Sequence, residues 1–297
     1  MKSLCRFCQK NSIKILFTAN KQSGSHQPVN YACTNCGFGS HGTIVECGNC
    51  KIIYVQEKIS QEKISAYYEV VDDPLYFAEQ KAREKTFKDY LVKLEKYFPH
   101  KGKLLDVGTN TGLFVKVAKN SGWQALGLEP SKEAVRFAKK RYGLSLINKP
   151  FEKNTFPKES FNAIAMWDVI EHFTDPIEEL QKVYWQLKPG GVFAFSTTDP
   201  KSLLAKIMGT KWSWYMDMHR VFFSREAAKF YLKKTGFKKV IFTPHWRYLS
   251  LGYLATRLIA VNPLIAKFSG KIIKFLGIEK MIVPYYANDL YDCYAFK

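Results

Sequence analysis

Short apolar runs and helical patterns alternate along much of this chain. The runs at 104–107, 123–128, 161–167 and 192–196 are typical of buried strands, and segments with helical spacing or helix caps follow them. From Lys103 onward, this alternation predicts an α/β fold with a doubly wound, mainly parallel sheet that binds its ligand at the carboxyl ends of the strands.

The pattern divides the chain into three parts. Residues 1–58 form a Cys-rich unit, residues 59–102 a linker and a helix, and residues 103–297 the α/β domain. The polar stretch from Glu57 to Tyr68 is predicted to be the linker, and the helix begins near Asp73, where a proline follows. The apolar residues that recur at helical spacing in this helix are Phe87, Tyr90, Leu91, Leu94 and Phe98.

The first strand of the α/β domain ends in a loop with two glycines. After Asp106, Gly108 and Gly112 precede a helical segment, so a ligand can approach the backbone amides at the start of that helix. A P-loop is excluded because no Lys-Ser/Thr pair follows Gly112. A dinucleotide fingerprint is a poor match because Asn110 and Leu113 occupy two of its glycine positions.

This loop resembles motif I of the class I S-adenosylmethionine (SAM) dependent methyltransferases, which typically reads Asp-x-Gly-x-Gly-x-Gly. The chain differs only at Asn110, a residue type that tolerates the left-handed backbone conformation. Two further features agree with this family: an acidic residue, Glu129, ends the second strand, and the block from Phe161 to Ser196 includes a Leu-Lys-Pro-Gly-Gly turn. The resemblance covers roughly residues 67–240.

The resemblance implies a Rossmann-like sheet of seven strands, the last of them antiparallel. It places the methionine end of SAM at the loop, the ribose at Glu129 and the sulfonium above the end of the fourth strand, with Glu152 a less certain partner for the adenine. The implied cofactor-binding residues are Asp106, Gly108, Asn110, Gly112, Glu129, Pro130, Glu152, Trp167 and Asp168.

Two histidines are candidate catalytic residues on the acceptor side. His219 lies in an aromatic and basic cluster at 211–220, beyond the fifth strand, and is our first candidate for the proton acceptor. His172 lies in a Val-Ile-Glu-His sequence that is similar to small-molecule O-methyltransferases, such as those of quinone biosynthesis. The alternative is structural for both: a hydrogen-bonded spacer for His219 and a helix cap for His172.

An insertion from about 245 to 288 separates the last two predicted strands, Lys238–Phe242 and Leu290–Phe296. It contains two helical apolar patterns, and Lys267, Lys271 and Lys274 are expected opposite the apolar face of the second one. The helices are predicted to cap the acceptor pocket with a solvated basic face. The alternative is a basic amphipathic surface that contacts anionic lipid.

Six of the seven cysteines form three Cys-x-x-Cys pairs. In a reducing compartment this spacing favours structural zinc, because two pairs supply four thiolates to one tetrahedral ion. Strand-like residues flank the first and third pairs, so the predicted ligands of a small N-terminal zinc ribbon are Cys5, Cys8, Cys47 and Cys50. The alternatives are a set that includes Cys33 and Cys36, and a second metal bound with His26 or His41. Cys293 is predicted to be a buried apolar residue.

The formal net charge of +19 exceeds the magnitude of about 2 to 8 that solubility requires, so we expect an acidic partner or ligand. The chain shows neither a signal-peptide core nor the roughly 18 consecutive apolar residues of a membrane span. We therefore expect a cytoplasmic protein, with peripheral contact at the inner membrane face as a variant of this location.

The predicted function is methyl transfer from SAM to an oxygen of a small-molecule, sugar or lipid-linked saccharide acceptor. One alternative is RNA methylation, favoured by the charge and the zinc ribbon. However, the fourth strand is followed by Trp-Asp-Val-Ile rather than an Asn-Pro-Pro-Tyr amino-methylation motif. Another alternative is a non-catalytic protein that binds SAM and zinc. Acceptor identity and oligomeric state stay open.

Overall fold

The computed structural model describes residues 4–20, 31–34, 40–258 and 262–297. Its first part is an antiparallel sheet in which the middle strand pairs with both neighbours. Its strands are β1 (Ile13–Phe17), β2 (Ile44–Cys47) and β3 (Ile53–Val55). Cys36 and His26, both named above as alternative metal ligands, lie outside the described residues.

Three helices connect this sheet to the α/β part: α1 (Gln61–Glu69), α2 (Pro74–Ala78) and α3 (Gln80–Tyr97). The prediction of a linker over 57–68 is wrong, because α1 occupies most of it. The Ser60 side chain accepts a hydrogen bond from the Lys63 N–H and caps the helix, and Ile64 is fully buried. A cap and tertiary packing thus outweigh the low hydrophobicity of this segment.

The predicted alternation of strands and helices is confirmed. The α/β part continues with β4 (Lys103–Val107), α4 (Leu113–Asn120), β5 (Gln124–Leu128), α5 (Lys132–Tyr142), β6 (Phe161–Trp167), α6 (Pro176–Gln186), β7 (Leu187–Thr198), α7 (Leu203–Met208), β8 (Val221–Phe222), α8 (Arg225–Thr235) and β9 (Lys239–Pro244). The insertion follows with β10 (Arg247–Ser250), α9 (Leu251–Arg257), α10 (Pro263–Phe275) and β11 (Ile282–Tyr285), and the chain ends in β12 (Leu290–Phe296). Short 3-10 turns lie at Phe151–Lys153, Ile170–His172 and Gly209–Lys211.

The central sheet has the strand order β5-β4-β6-β7-β12-β9. The first four strands are parallel, and β12 is antiparallel to both β7 and β9, as predicted. The expectation of seven strands is wrong for the described residues, which form six. At the outer edge of β5, Ile147 makes an isolated parallel bridge to Leu128, and the side-chain amide of the next residue, Asn148, donates to the Glu129 and Pro130 carbonyls.

The Leu-Lys-Pro-Gly-Gly turn is built into β7. Phe161 pairs with Leu187 and Ala163 pairs with Val192, so the turn residues form an irregularity in the pairing of β6 with β7. Gly190 has φ +74°, a conformation that favours glycine. The predicted break between helix and strand is therefore present, but it lies at the start of a longer strand.

The Cys-rich sheet packs directly on the α/β part. Strand β8 pairs antiparallel with β3, and one hydrophobic core contains Cys5, Cys47 and Cys50 together with Phe223 and Tyr231. Cys293 is fully buried in the same core, as predicted.

The insertion contains the predicted pair of helices and also a two-stranded antiparallel sheet, β10–β11, which the sequence analysis missed. Its contacts with the preceding helices fix its position: the Tyr248 N–H donates to Thr86 Oγ1, and the Ser250 hydroxyl donates to Glu79. Among the described residues, no helix combines the length and apolar character needed to cross a membrane.

Candidate active site

The glycine loop lies between β4 and α4, at the carboxyl end of the central strands. Gly108 and Gly112 have φ of +65° and +70°, and Asn110 has φ +49°, so Asn110 adopts the left-handed conformation predicted for it. A Cβ on Gly108 would lie 2.8 Å from the Val169 side chain. These three residues therefore hold a tight turn that few other side chains could form.

Glu129 closes the loop from the neighbouring strand. One oxygen of its carboxylate accepts the Asn110 N–H at 2.7 Å, and the other accepts the Ser131 N–H at 2.8 Å. Pro130 lies between these contacts, and the Asn148 side-chain amide donates to the carbonyls of Glu129 and Pro130, both at 2.9 Å. The loop, the end of β5 and Asn148 thus form one edge of the site; the sequence analysis did not identify Asn148.

Two buried carboxyl groups lie at this edge without a cationic partner among the described residues. Burial raises the pKa of Asp106 to about 8. Burial also raises the pKa of Glu129 to about 7, although the N–H groups of Ser131 and Asn110 act in the opposite direction. Acidic groups kept out of water in this way suit a ligand that brings hydroxyl groups or positive charge.

Trp167 and Asp168, which are predicted to form the floor of the site, lie at the end of β6. The Trp167 ring packs on Tyr90 and Phe114, with centroid distances of 4.6 and 5.4 Å. Its indole N–H and the Asn110 side-chain oxygen are buried and have no hydrogen-bond partner among the described residues. Because buried polar groups are normally satisfied, these two atoms indicate a site for a ligand with polar groups of its own.

Asp168 lies beside His172, whose Nε2 is 3.1 Å from the Asp168 carbonyl oxygen. It has φ +55°, and its carboxylate accepts a hydrogen bond from the Ser196 hydroxyl at 2.6 Å. Arg247, from the insertion, lies 3.7 Å away. Burial opposes ionisation of Asp168, but Arg247 and His245 outweigh burial and lower the pKa of its carboxyl. Asp168 is therefore ionised and paired, and the insertion forms part of the wall.

The two predicted catalytic histidines lie side by side, with ring centroids 4.9 Å apart. Both ring nitrogens of His172 are 3.1 Å from carbonyl oxygens, those of Met218 and Asp168. These two contacts hold the imidazole ring in one orientation. His219 is 2% exposed and stacks on Trp214, and its Nδ1 has no hydrogen-bond partner among the described residues. Burial, with the nearby His172, holds the pKa of His219 well below its ordinary value, so its imidazole is neutral at neutral pH.

Glu171 lies beside these histidines, and one ligand atom from each of Glu171, His172 and His219 lies within 4.8 Å of the other two. Burial raises the pKa of Glu171 to about 8, and the carboxyl accepts a hydrogen bond from the Thr197 hydroxyl at 3.0 Å. The contacts of His172 with two carbonyls favour a hydrogen-bonded cluster over a metal site.

A third histidine that the sequence analysis missed lies on the same side. His245 Nδ1 is 2.6 Å from the Asp292 carboxylate, and His245 Nε2 is 2.9 Å from the Tyr90 hydroxyl. Lys93 pairs with the other oxygen of Asp292 at 2.7 Å. Tyr90 packs on Trp167, so this buried chain of contacts reaches the floor of the site. No sequence signal marked it, because its members come from four distant elements.

Glu152, the uncertain adenine candidate, accepts a hydrogen bond from the Ser65 hydroxyl of α1. This contact gives the side chain a structural partner, and an adenine contact stays a prediction.

The N-terminal part supplies two further features. The Asn110 side-chain amide donates to the Cys33 thiol at 3.7 Å, so residues 31–34 approach the glycine loop. The other feature is a group of four thiols within 4.8 Å of one another. They are the predicted ligands Cys5, Cys8, Cys47 and Cys50.

The spacing of these thiols fits a tetrahedral ion. Cys5 and Cys50 sulfurs are 3.9 Å apart, and Cys8 and Cys47 sulfurs are 3.6 Å apart. A zinc ion with four sulfurs at about 2.3 Å places them about 3.8 Å apart. Cys33 contacts Asn110 instead, and the His41 ring nitrogen is 2.7 Å from the Gly42 carbonyl, so neither joins this group.

Comparison with known proteins agrees with this geometry. Residues 78–241, more than half of the chain, match the sequence model of a family described as a methyltransferase domain. A ubiquinone biosynthesis O-methyltransferase of Cereibacter sphaeroides is 30% identical over 117 residues, which are 37% of this chain and 47% of that protein. A protein of the same name from Bradyrhizobium diazoefficiens is 28% identical over 116 residues, 37% of this chain and 46% of that protein.

The chain thus spans about half the length of the curated relatives that it matches. Among solved structures, a SAM-dependent methyltransferase from Archaeoglobus fulgidus aligns with a TM-score of 0.52 and 20% identity. The alignment covers 76% of this chain and 100% of that one. It supports the fold described above.

Proposed function

Because this chain belongs to the class I SAM-dependent methyltransferases, we propose that it transfers the methyl group of SAM to an oxygen atom of a small-molecule acceptor. The observation that carries the proposal is the contact of Glu129 with the left-handed glycine loop, beside two buried polar atoms that find no partner in the described part of the chain. The named activity of the curated relatives supports oxygen as the acceptor atom.

The cofactor-binding residues that we propose are those on the loop side. Backbone amides at the start of α4 face the methionine end, and the Glu129 carboxylate accepts hydrogen bonds from the ribose hydroxyls. The Asn110 side-chain oxygen and the Trp167 indole N–H then acquire partners that they lack among the described residues. Asp106 lies buried near the end of β4, next to this edge.

SAM, when bound, supplies a methyl group that its sulfonium already activates. The protein therefore has to align the acceptor oxygen, exclude water and remove one proton. We assign proton removal to His219, since its imidazole is neutral and no described residue hydrogen-bonds to its Nδ1. His245, oriented by Asp292, is the second candidate, although the Tyr90 hydroxyl occupies its Nε2.

We further infer that the four thiols hold one structural zinc ion. The ion would have four sulfur ligands and no open position for water, so its contribution is to the fold. The ligands Cys5, Cys47 and Cys50 lie in the core that also packs Phe223 and Tyr231, and a closed ion there would tie the N-terminal sheet to α8.

Calorimetry with SAM, with NAD as the control ligand, tests the proposed cofactor. We expect binding of SAM at micromolar concentrations and no measurable binding of NAD. Transfer of a labelled methyl group to a panel of hydroxylated aromatic compounds, sugars and lipid-linked saccharides then tests the acceptor class. Binding of NAD in place of SAM, or SAM binding without transfer to any hydroxyl compound, would contradict the proposal.

A further inference from the structure

Helix α10 presents an uncovered apolar face. Six large apolar side chains of α10 and the residue after it are each at least half exposed, and Phe275 is 90% exposed. They are Leu264, Ile265, Phe268, Ile272, Phe275 and Leu276. At about 100° per residue they cover an arc of roughly 120° around the helix axis. A contiguous apolar surface of this kind on a soluble protein usually marks an interaction site.

The opposite part of α10 faces the rest of the insertion. A groove between α9 and α10 is lined by Ala255 of the first helix and by Ala266, Gly270 and Ile273 of the second. Helix α10 contacts α9 on this side, and this contact orients it. The apolar face of α10 was expected to help cap the acceptor pocket. In the structure this face is left uncovered.

The three lysines lie on one flank of α10, with Lys271 next to the exposed apolar face and Lys274 nearest the packed side. Lys267, Lys271 and Lys274 are exposed and lie roughly 20 to 80° beyond Leu264, between the exposed apolar arc and the packed residues, and Lys274 also lines the groove. Apolar side chains with adjacent lysines are the arrangement of helices that lie in the plane of a membrane interface. At 13 residues, α10 is too short to span a bilayer, which takes about 20.

The positive charge of the insertion favours an anionic surface over a second copy of this chain as the partner of the apolar face. Residues 245–288 carry six basic side chains and one acidic one, Glu279, within a chain of net charge +19. The basic residues are Arg247, Arg257, Lys267, Lys271, Lys274 and Lys280. A second copy of this face would bring like charges together, whereas anionic headgroups complement them and hydrocarbon covers the apolar arc.

We propose that α10 lies on the surface of an anionic bilayer, with Phe268 and Phe275 in the acyl boundary and the three lysines among the headgroups. Hydrogen bonds tie this helix to the acceptor side: the Leu251 and Gly252 N–H groups of α9 donate to the Met281 and Glu279 carbonyls beyond α10. Helix α9 in turn continues β10, whose Arg247 lies 3.7 Å from Asp168. Membrane contact would therefore hold the acceptor side close to the bilayer.

Vesicle flotation tests this surface independently of the methyl-transfer proposal. The full chain is mixed with phosphatidylcholine vesicles, with or without phosphatidylglycerol, at low and high salt. We expect flotation only with the anionic vesicles and release by salt. Because each lysine near an anionic surface contributes roughly a fivefold increase in partitioning, Lys267→Gln, Lys271→Gln and Lys274→Gln together should reduce it on the order of 100-fold. Phe268→Ser with Phe275→Ser should also abolish flotation.

Matched controls use exposed residues elsewhere. Val92→Ser changes an exposed apolar residue of α3, and Lys132→Gln with Lys139→Gln and Lys140→Gln removes three exposed charges from α5. Both controls should float like the wild type, and all variants should retain the wild-type circular dichroism spectrum. Absence of flotation, or flotation lost only in the α5 variant, would overturn the proposal. A dimer in light scattering that Phe268→Ser with Phe275→Ser dissociates, without flotation, would assign the face to a second copy.

Discussion

The backbone N–H of Asn110 donates to the Glu129 carboxylate at 2.7 Å, so the end of β5 fixes the conformation of the glycine loop. The second oxygen of the same carboxylate accepts the Ser131 N–H. Glu129 therefore has two roles in the proposed site: it organises the loop, and its carboxyl oxygens offer acceptors to ribose hydroxyls. The burial of this carboxylate strengthens both interactions.

Replacement of Glu129 should separate these two roles. Because hydrogen bonds to a charged group contribute about 1.5–3 kcal/mol each, Glu129→Ala should raise the SAM dissociation constant on the order of 100-fold or more. Glu129→Gln keeps one oxygen acceptor and should give an intermediate loss. Calorimetry measures both, with Glu133→Ala on the exposed face of α5 as the control. Wild-type SAM affinity in Glu129→Ala would remove this residue from the site.

Substitution of Gly108 tests the need for a tight loop. Gly108→Ala introduces a methyl group 2.8 Å from Val169 at φ +65° and should abolish SAM binding. Gly143→Ala is a matched control, because Gly143 has φ +66° and open space around it. The control should lose about 1–2 kcal/mol of stability from backbone strain and keep its SAM affinity. Equal SAM affinities in the two variants would argue against contact between the loop and SAM.

The elements closest to the loop were the most predictable from sequence. Gly108, Asn110 and Gly112 constrain the backbone locally, and a buried apolar strand ending in an acidic residue places Glu129 by the geometry of parallel strands alone. The four zinc-ligand candidates followed from spacing and flanking strand residues for a similar reason. In each case, interactions between residues that are close in sequence determine where the side chain lies.

Features that depend on distant segments were missed. The contact of His245 with Asp292 joins residues 47 positions apart, and their link to Tyr90 depends on how the insertion folds back on α3. Helix α1 was missed because its hydrophobicity is low and its stability comes from a cap and from buried Ile64. The orientation of α10 also required the structure, since a helical pattern shows which residues share a face but not which face is covered.

The raised pKa of Asp106 predicts a pH dependence of stability in the absence of ligand. The ordinary pKa of 3.8 is raised to about 8 by burial, so the folded protein holds a proton that the unfolded chain releases. This contribution is fully present below about pH 4 and is lost as the pH rises through about 8. Asp106→Asn, which mimics the protonated acid, should therefore become progressively more stable than the wild type up to about pH 8.

Urea unfolding of both proteins without SAM, from about pH 5 to pH 9, measures this difference. The control is Glu133→Gln on α5, because the side chain of Glu133 is 41% exposed. Asp175→Asn would not serve, because the Asp175 carboxylate caps α6. The stability of Glu133→Gln relative to the wild type should change little with pH. A constant difference between Asp106→Asn and the wild type across this range would show that Asp106 is ionised in the folded protein throughout.

Metal content tests the proposed zinc site. Purified protein should contain one zinc per chain, and Cys5→Ser or Cys47→Ser should lose it together with several kcal/mol of stability, because the ion closes a buried core. Cys33→Ser should retain zinc, since the Cys33 thiol contacts Asn110 rather than the four-thiol group. Atomic emission spectroscopy of the dialysed proteins measures the zinc content, and thermal unfolding measures the stability. Loss of zinc in Cys33→Ser would favour the alternative ligand set.

Kinetics of two histidine variants should identify the proton acceptor. A general base contributes about 10²–10⁴ to turnover, so His219→Ala should lower kcat on the order of 100-fold while the SAM dissociation constant changes little. His245→Ala should instead reduce stability, because it removes the buried imidazole that contacts Asp292 Oδ1 and the Tyr90 hydroxyl. Since burial lowers the pKa of His219, the acidic limb of the kcat profile should lie below the ordinary histidine value of about 6.5. If His245→Ala keeps its fold but loses turnover while His219→Ala remains active, the His245–Asp292 pair is the base.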